Sequence, residues 1–96
     1  MAKVHMDAYS QRHVSQRIVE RIKDVNHQKK IVELIKRLLT MDAPAEAIGE
    51  YQWHINLPSI GRVVMRGHSV RTVLSFDENY PGSTEYKISN RTLIRA

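Results

Sequence analysis

The chain contains no cysteine. That absence removes disulfide frameworks, thiolate zinc sites, iron–sulfur clusters and thiol nucleophiles together, and it fits a reducing compartment. Long apolar runs are missing as well. The longest, Val63-Val64-Met65, falls far short of the roughly 20 residues a membrane helix needs, so no membrane span is expected. The stretch Met1 to Asp7 lacks the apolar segment that follows the basic end of a secretory signal, which makes the cytoplasm the expected location. Glycine (four) and proline (three) are sparse, and no linker, repeat or low-complexity tract divides the 96 residues. A single domain over 1–96 is therefore expected. With 42% hydrophobic and 26% charged residues, the chain has enough apolar content to fold rather than stay disordered.

Acidic residues are scarce in the first part of the chain. Residues 1–41 hold nine Lys and Arg against four Asp and Glu, whereas residues 42–96 hold six of each, so the first part carries the whole net charge of +5. Such a bias favours a polyanionic partner.

Two helices are read first. Ser10 is a candidate N-cap for a helix whose apolar stripe is Val14, Ile18, Ile22 and Val25. After a break at Asp24 to Asn26, Asn26 can cap a second helix running to about Met41, with Ile31, Leu34, Ile35, Leu38 and Met41 on one face. From residue 49 the period becomes two. Tyr51, Trp53, Ile55 and Leu57 alternate with polar residues in a half-buried strand, and Leu57 to Gly61 form a turn. Further strands are expected at Arg62 to Arg66, at Val70 to Phe76 with Val70, Thr72, Leu74 and Phe76 inward, and at Glu85 to Ser89. The long turn is Asp77 to Gly82, Thr92 to Ile94 extend the last strand or add an edge, and Lys3 to Met6 form another edge.

This order predicts an α+β domain: two N-terminal helices on one face of a four-stranded antiparallel sheet, with the other face open. Strand parity then places Trp53 in the core and His54, Asn56, Arg62, Val64, Arg66, Arg71, Val73 and Glu85 outward. Arg62, Arg66 and Arg71 have no acidic residue between them, and His68 lies in the connection that joins their strands. Guanidinium forks match phosphate geometry, so the three arginines, with His68 beside them, are candidate RNA contacts. On the first helix His13, Arg17 and Arg21 recur every four residues and line its edge, which adds Arg21 to the contacts.

The segment Tyr9-Ser-Gln-Arg-His13-Val-Ser-Gln-Arg17-Ile-Val-Glu-Arg21-Ile resembles the Tyr-Ser-x-His-x-x-x-Arg helix of the phage RegB-type endoribonucleases, distant relatives of the RelE family of mRNA-cleaving toxins. The order of elements is similar, and Lys87 to Leu93 resembles that family's closing strand. Two departures stand out. Arg12 is an extra residue before His13, and the family's longer N-terminal extension with its acidic functional residue has no counterpart here. The resemblance implies a RelE-like fold, a toxin-type RNase with His13 and Arg17 catalytic, mRNA as substrate with ribosome association an open question, and an antitoxin or host protein as a further partner.

The chemistry can be argued without the family. Cleaving RNA without a metal needs a base for the 2′-hydroxyl, an acid for the leaving 5′-oxygen and cations for the growing phosphorane charge. His13, Arg17 and His54 are the catalytic candidates, with Glu50 or Glu85 as reserve base. No metal or cofactor is expected: His-Glu-x-x-His, EF-hand and Gly-rich phosphate motifs are absent, and the five histidines show no ligand spacing. The alternative is a non-catalytic protein that binds nucleic acid, or inhibits a host enzyme, through the same basic face.

Overall fold

In the computed structural model the described residues are 2–49, 52–78 and 82–96. They form helices α1 (Ala8–Arg21), α2 (Val25–Leu38) and the short α3 (Ala45–Ile48), and strands β1 (Trp53–Leu57), β2 (Gly61–Arg66), β3 (Ser69–Ser75), β4 (Thr84–Ser89) and β5 (Thr92–Arg95). The α+β class is as expected, but the sheet has five strands and is mixed. Its order is β3-β2-β1-β4-β5, with β4 parallel to β1 and every other pair antiparallel. Glu50, Tyr51 and part of the 77–82 turn lie outside the described residues.

Both helices begin earlier than the expected caps. Asp7 accepts from the backbone N–H of Ser10 at 2.7 Å, and Asp24 accepts from that of His27 at 3.1 Å, so neither Ser10 nor Asn26 is the cap. A short carboxylate placed three residues before an orphan N–H satisfies it. Ser10 is instead a buried helical residue in line with Val14 and Ile18. Val25 starts α2 on a new axis, so it leaves the α1 stripe and is 62% exposed. The α2 stripe of Ile31, Ile35, Leu38 and Met41 packs as expected.

The inner face of the sheet is built from Trp53, Ile55, Val63, Met65, Val70, Val73, Tyr86 and Leu93. Trp53 is fully buried, sets its indole edge-on to Tyr86 at 5.0 Å and donates to the Gly67 carbonyl at 2.7 Å. Gly61 is the first residue of β2 rather than part of a turn, and the Ile22 and Ile31 side chains close over it.

Parity along β3 differs from expectation because of a bulge. Val64 pairs with Thr72 but Met65 pairs with Val70, which leaves Arg71 as the extra residue. A one-residue insertion exchanges the two faces beyond it. Val73 is therefore buried against the helices, while Thr72 and Leu74 turn to the other face and Phe76 is exposed.

The outer face is not open. Ser75 pairs with Gly61 at one end of the sheet and Thr84 with Trp53 at the other, so β3 ends far from where β4 starts. The described ends of the connection rest on the outer face: the Glu78 carbonyl accepts from Arg62, and Ser83 meets His54. Val64, Leu74 and His54 are buried although they face away from the helices. The expected edge strand at Lys3 to Met6 reduces to single bridges, Lys3 with Asp42 and His5 with Ser69, that pin the N-terminus beside the start of β3.

Asn90 and Arg91 join β4 to β5, and both have positive φ, 50° and 68°. A two-residue hairpin loop of this kind is a type I′ turn, which favours Asn-Gly. Replacing Arg91 with glycine is expected to add about 0.5 kcal/mol of stability and raise the melting temperature by a few degrees, because a side chain at φ > 0 costs roughly 1 kcal/mol. An unchanged or lower melting temperature in a calorimetric scan would count against the strain.

Candidate nucleic-acid interface

The row His13, Arg17, Arg21 sits one residue off the buried stripe of α1 and runs beside the edge strand β3. At the start of the helix Asp7 lies within electrostatic reach of Arg71, and at its end Arg21 donates to the Val73 carbonyl at 2.8 Å. Arg21 also lies 3.8 Å from Glu78. Its guanidinium thus ties α1 to the sheet edge. Arg17 pairs with Glu20 at 2.9 Å, and its Nε is buried without a partner among the described residues. His13 is half-buried in a shallow cleft with Tyr9, Arg12 and Gln16.

The outer face gathers a second set. His54 is 6% exposed, with Nδ1 2.9 Å from Ser83 Oγ and Nε2 3.7 Å from Glu85 Oε1. Glu85 sits directly opposite His54 in the parallel pairing of β1 and β4, and its side chain is 46% exposed. Arg62 is near enough to His54 to act on its charge, and Arg62 stands opposite Asn56 in the β1 and β2 ladder. Three polar atoms on this face are buried without a partner among the described residues: Arg62 Nε, Asn56 Oδ1 and Thr72 Oγ1. Buried polar groups are nearly always paired, which makes these three atoms exceptions on this face, and none of them is open to solvent.

A third group lies at the β2 to β3 hairpin. Arg66 and Arg71 are exposed, and the His68 ring meets the His5 ring edge-on at 4.5 Å. His5 in turn lies 3.2 Å from Ser69 Oγ. The structure therefore brings His54 and Arg62 together with Glu85, and gathers Arg66, His68 and Arg71 at one corner. It does not bring His13 and Arg17 to His54. They belong to the helix layer beyond β3, whereas His54 lies two strands inward on the opposite face, about 10 Å away across strands alone. Ser83 and Glu78 were missed from sequence because a turn residue's partners across a sheet leave no local pattern.

Compared with known protein families, curated proteins and solved structures, the chain finds no match. Among the described residues, no group of three or more His, Asp or Glu is placed to hold a metal ion, and no helix is long and apolar enough to cross a membrane.

Burial pushes the His54 imidazole below its usual value near 6.5; the Glu85 carboxylate opposes this and Arg62 adds to it. As pH falls through about 6.5 the unfolded chain takes up this proton first, so stability declines from there down through the lowered folded value. Asp7, Asp24 and Glu78 are held below their ordinary values by backbone N–H bonds from Ser10, His27 and Ser75. Their contribution is present above the ordinary carboxylate range and is lost as pH falls through the lowered values. Thermal unfolding followed from pH 8 to 3 should show two stages of decline. In His54→Gln the first stage should disappear and the second remain; an unchanged first stage would place its origin elsewhere.

Proposed function

We propose that the protein is a small metal-independent endoribonuclease whose reaction centre is the outer-face set Glu85, His54 and Arg62. The observation that carries this reading is the approach of an exposed carboxylate to a buried imidazole, 3.7 Å apart, with an arginine alongside. Glu85 takes the 2′-hydroxyl proton, and the 2′-oxygen attacks the adjacent phosphorus. Arg62 and Arg66, both on β2, stabilise the charge on the phosphorane. The 5′-oxygen departs, taking a proton from solvent, and leaves a 2′,3′-cyclic phosphate. His54 touches no substrate in this scheme. It positions Glu85 from behind, held in turn by Ser83.

His13 and Arg17 form the rival centre, supported by the helix motif. A reading as a binding protein without cleavage is favoured by one observation: Arg62 and Arg21 each hold a main-chain carbonyl, which ties them to the fold. Labelled mRNA incubated in EDTA, with and without ribosomes, separates the three. Cutting by wild type and His13→Ala but not by Glu85→Gln supports the outer-face centre. Cutting that survives Glu85→Gln and is lost in His13→Ala moves the chemistry to α1. Intact RNA throughout, with a shifted band on a native gel, leaves only binding.

A further inference from the structure

Val19, Val25 and Val32 are apolar side chains left exposed on the helix layer, and all three line one cleft between α1 and α2. The cleft follows from the break at Asp24: α1 packs chiefly on β3 and α2 on β2, so the facing flanks of the two helices are only partly closed. Its floor is Ile18, and its volume is about 480 Å³. A second hollow of about 320 Å³ shares Ile18, Val32 and Lys36 with it and continues toward Leu39. Together they run alongside most of α2, whose 14 residues rise about 1.5 Å each, and form one trough roughly 20 Å long. Apolar residues gathered on an exposed surface mark a contact with another molecule.

Charge decides which molecule that is. Residues 8–38 carry eight Lys and Arg against three Asp and Glu. Glu20 is paired with Arg17, the Asp24 carboxylate accepts from the His27 N–H, and Arg21 is held by Val73 and Glu78. Among the described residues no ion pair involves Arg12, Lys23, Lys29, Lys30, Lys36 or Arg37, and Glu33 is the one acid left beside them. Lys29 and Lys36 stand two turns apart on the wall of the trough, where Glu33 is the single acid. We propose that the trough docks an acidic amphipathic helix of another protein, with its apolar stripe on the three valines and its carboxylates on Lys29 and Lys36. Apolar anchors on successive turns of a helix match a straight trough of this length. A second copy of this chain would set one basic helix layer against another. RNA gains little from aliphatic walls that offer no aromatic ring to stack a base, and a flat bilayer cannot follow a concave cleft down to Ile18. The trough lies on the helix layer, whereas His54 and Glu85 face away from the helices, so the docking surface stands whether or not the protein cleaves RNA.

The test uses the intact protein and a synthetic peptide of about four helical turns, with leucine at every third or fourth position and glutamate elsewhere. A twin peptide carries lysine at each glutamate position. In an NMR titration the acidic peptide should move the Val19, Val25 and Val32 methyl resonances, and it should bind at least about tenfold tighter than its basic twin. Val32→Glu should weaken that binding by a similar factor while the melting temperature holds, because the side chain is exposed. Replacing both lysines, Lys29→Glu with Lys36→Glu, should reverse the order of the two peptides. Methyl shifts confined to other residues, equal affinity for both peptides, or an order that survives the charge reversal would overturn the proposal. Rival occupants have their own readouts. A doubled mass in sedimentation that Val32→Glu returns to the monomer puts a second copy in the trough, and flotation with phosphatidylserine vesicles that the same variant abolishes makes it a lipid surface; either result overturns the acidic helix.

Discussion

Alanine at position 61 is expected to cost about 2 to 3 kcal/mol and to lower the melting temperature by on the order of 10 °C. The reason is steric and local. A Cβ at Gly61 would sit 2.6 Å from the Leu74 carbonyl oxygen and 2.9 Å from Ile22 Cδ1, with Ile31 Cδ1 a further neighbour at 3.7 Å. The Ile22 methyl can rotate away, but the Leu74 oxygen is main chain in the paired strand β3 and cannot move without breaking the ladder. Neither α1 nor α2 has room to lift, because Ile22 and Ile31 are themselves buried. Gly49→Ala is the control: nothing lies within 4 Å of that position, so its melting temperature should stay close to wild type. If Gly61→Ala melts within about 2 °C of wild type, the packing of both helices on β2 is looser than described.

Glu85→Gln is expected to cut the rate of RNA cleavage at least about a hundredfold, since a positioned general base contributes on the order of 10² to 10⁴. Gln keeps the shape and cannot take the 2′-hydroxyl proton. Stability should change little, because half of the Glu85 side chain faces solvent and its interaction with His54 spans 3.7 Å. His54→Gln should also lower the rate, but through Glu85. The double variant should therefore be no slower than Glu85→Gln alone, as groups that act as a unit are not additive. The pH profile adds a check that a purely structural His54 would not move: with Glu85 intact, its acidic limb should shift in His54→Gln. Single-turnover cleavage at saturating RNA measures all three variants, and two independent losses that multiply would show that His54 and Glu85 do not work together.

Helix and strand identity was legible where one rule acted alone. The 3.6-residue spacing of Ile31, Ile35 and Leu38 and the alternation around Trp53 and Ile55 needed no tertiary information. Errors arose where a distant partner decided. The Arg71 bulge is set by the pairing of β3 with β2, and nothing within residues 69–75 announces it, so strict alternation puts Thr72 and Leu74 in the core and Val73 on the surface. The parallel pairing of β4 with β1 replaces the hairpin that a turn-rich stretch suggests. The same pairing sets Glu85 opposite His54, so these two members of the proposed centre, 31 positions apart in sequence, are separately visible but not as a pair. Arg21 and Arg62 looked like free cations because their carbonyl acceptors, Val73 and Glu78, carry no signature in sequence.

The bond from Arg21 to Val73 also settles how the sheet can meet another copy of itself. A bare edge strand is a template for a further strand, and proteins that leave one exposed risk stacking edge to edge. On the β3 side that route is closed three times over: His5 donates to the His68 carbonyl and accepts from the Val70 N–H, the bulge at Arg71 breaks the regular spacing, and Arg21 occupies the Val73 carbonyl. The opposite edge is β5, four residues long and flanked by Arg91 and Arg95, with Ile94 exposed. Lateral growth of this sheet is therefore one-sided. A chain that adds a strand would do so at β5, against two positive charges, and an acidic extended segment would meet the least resistance there.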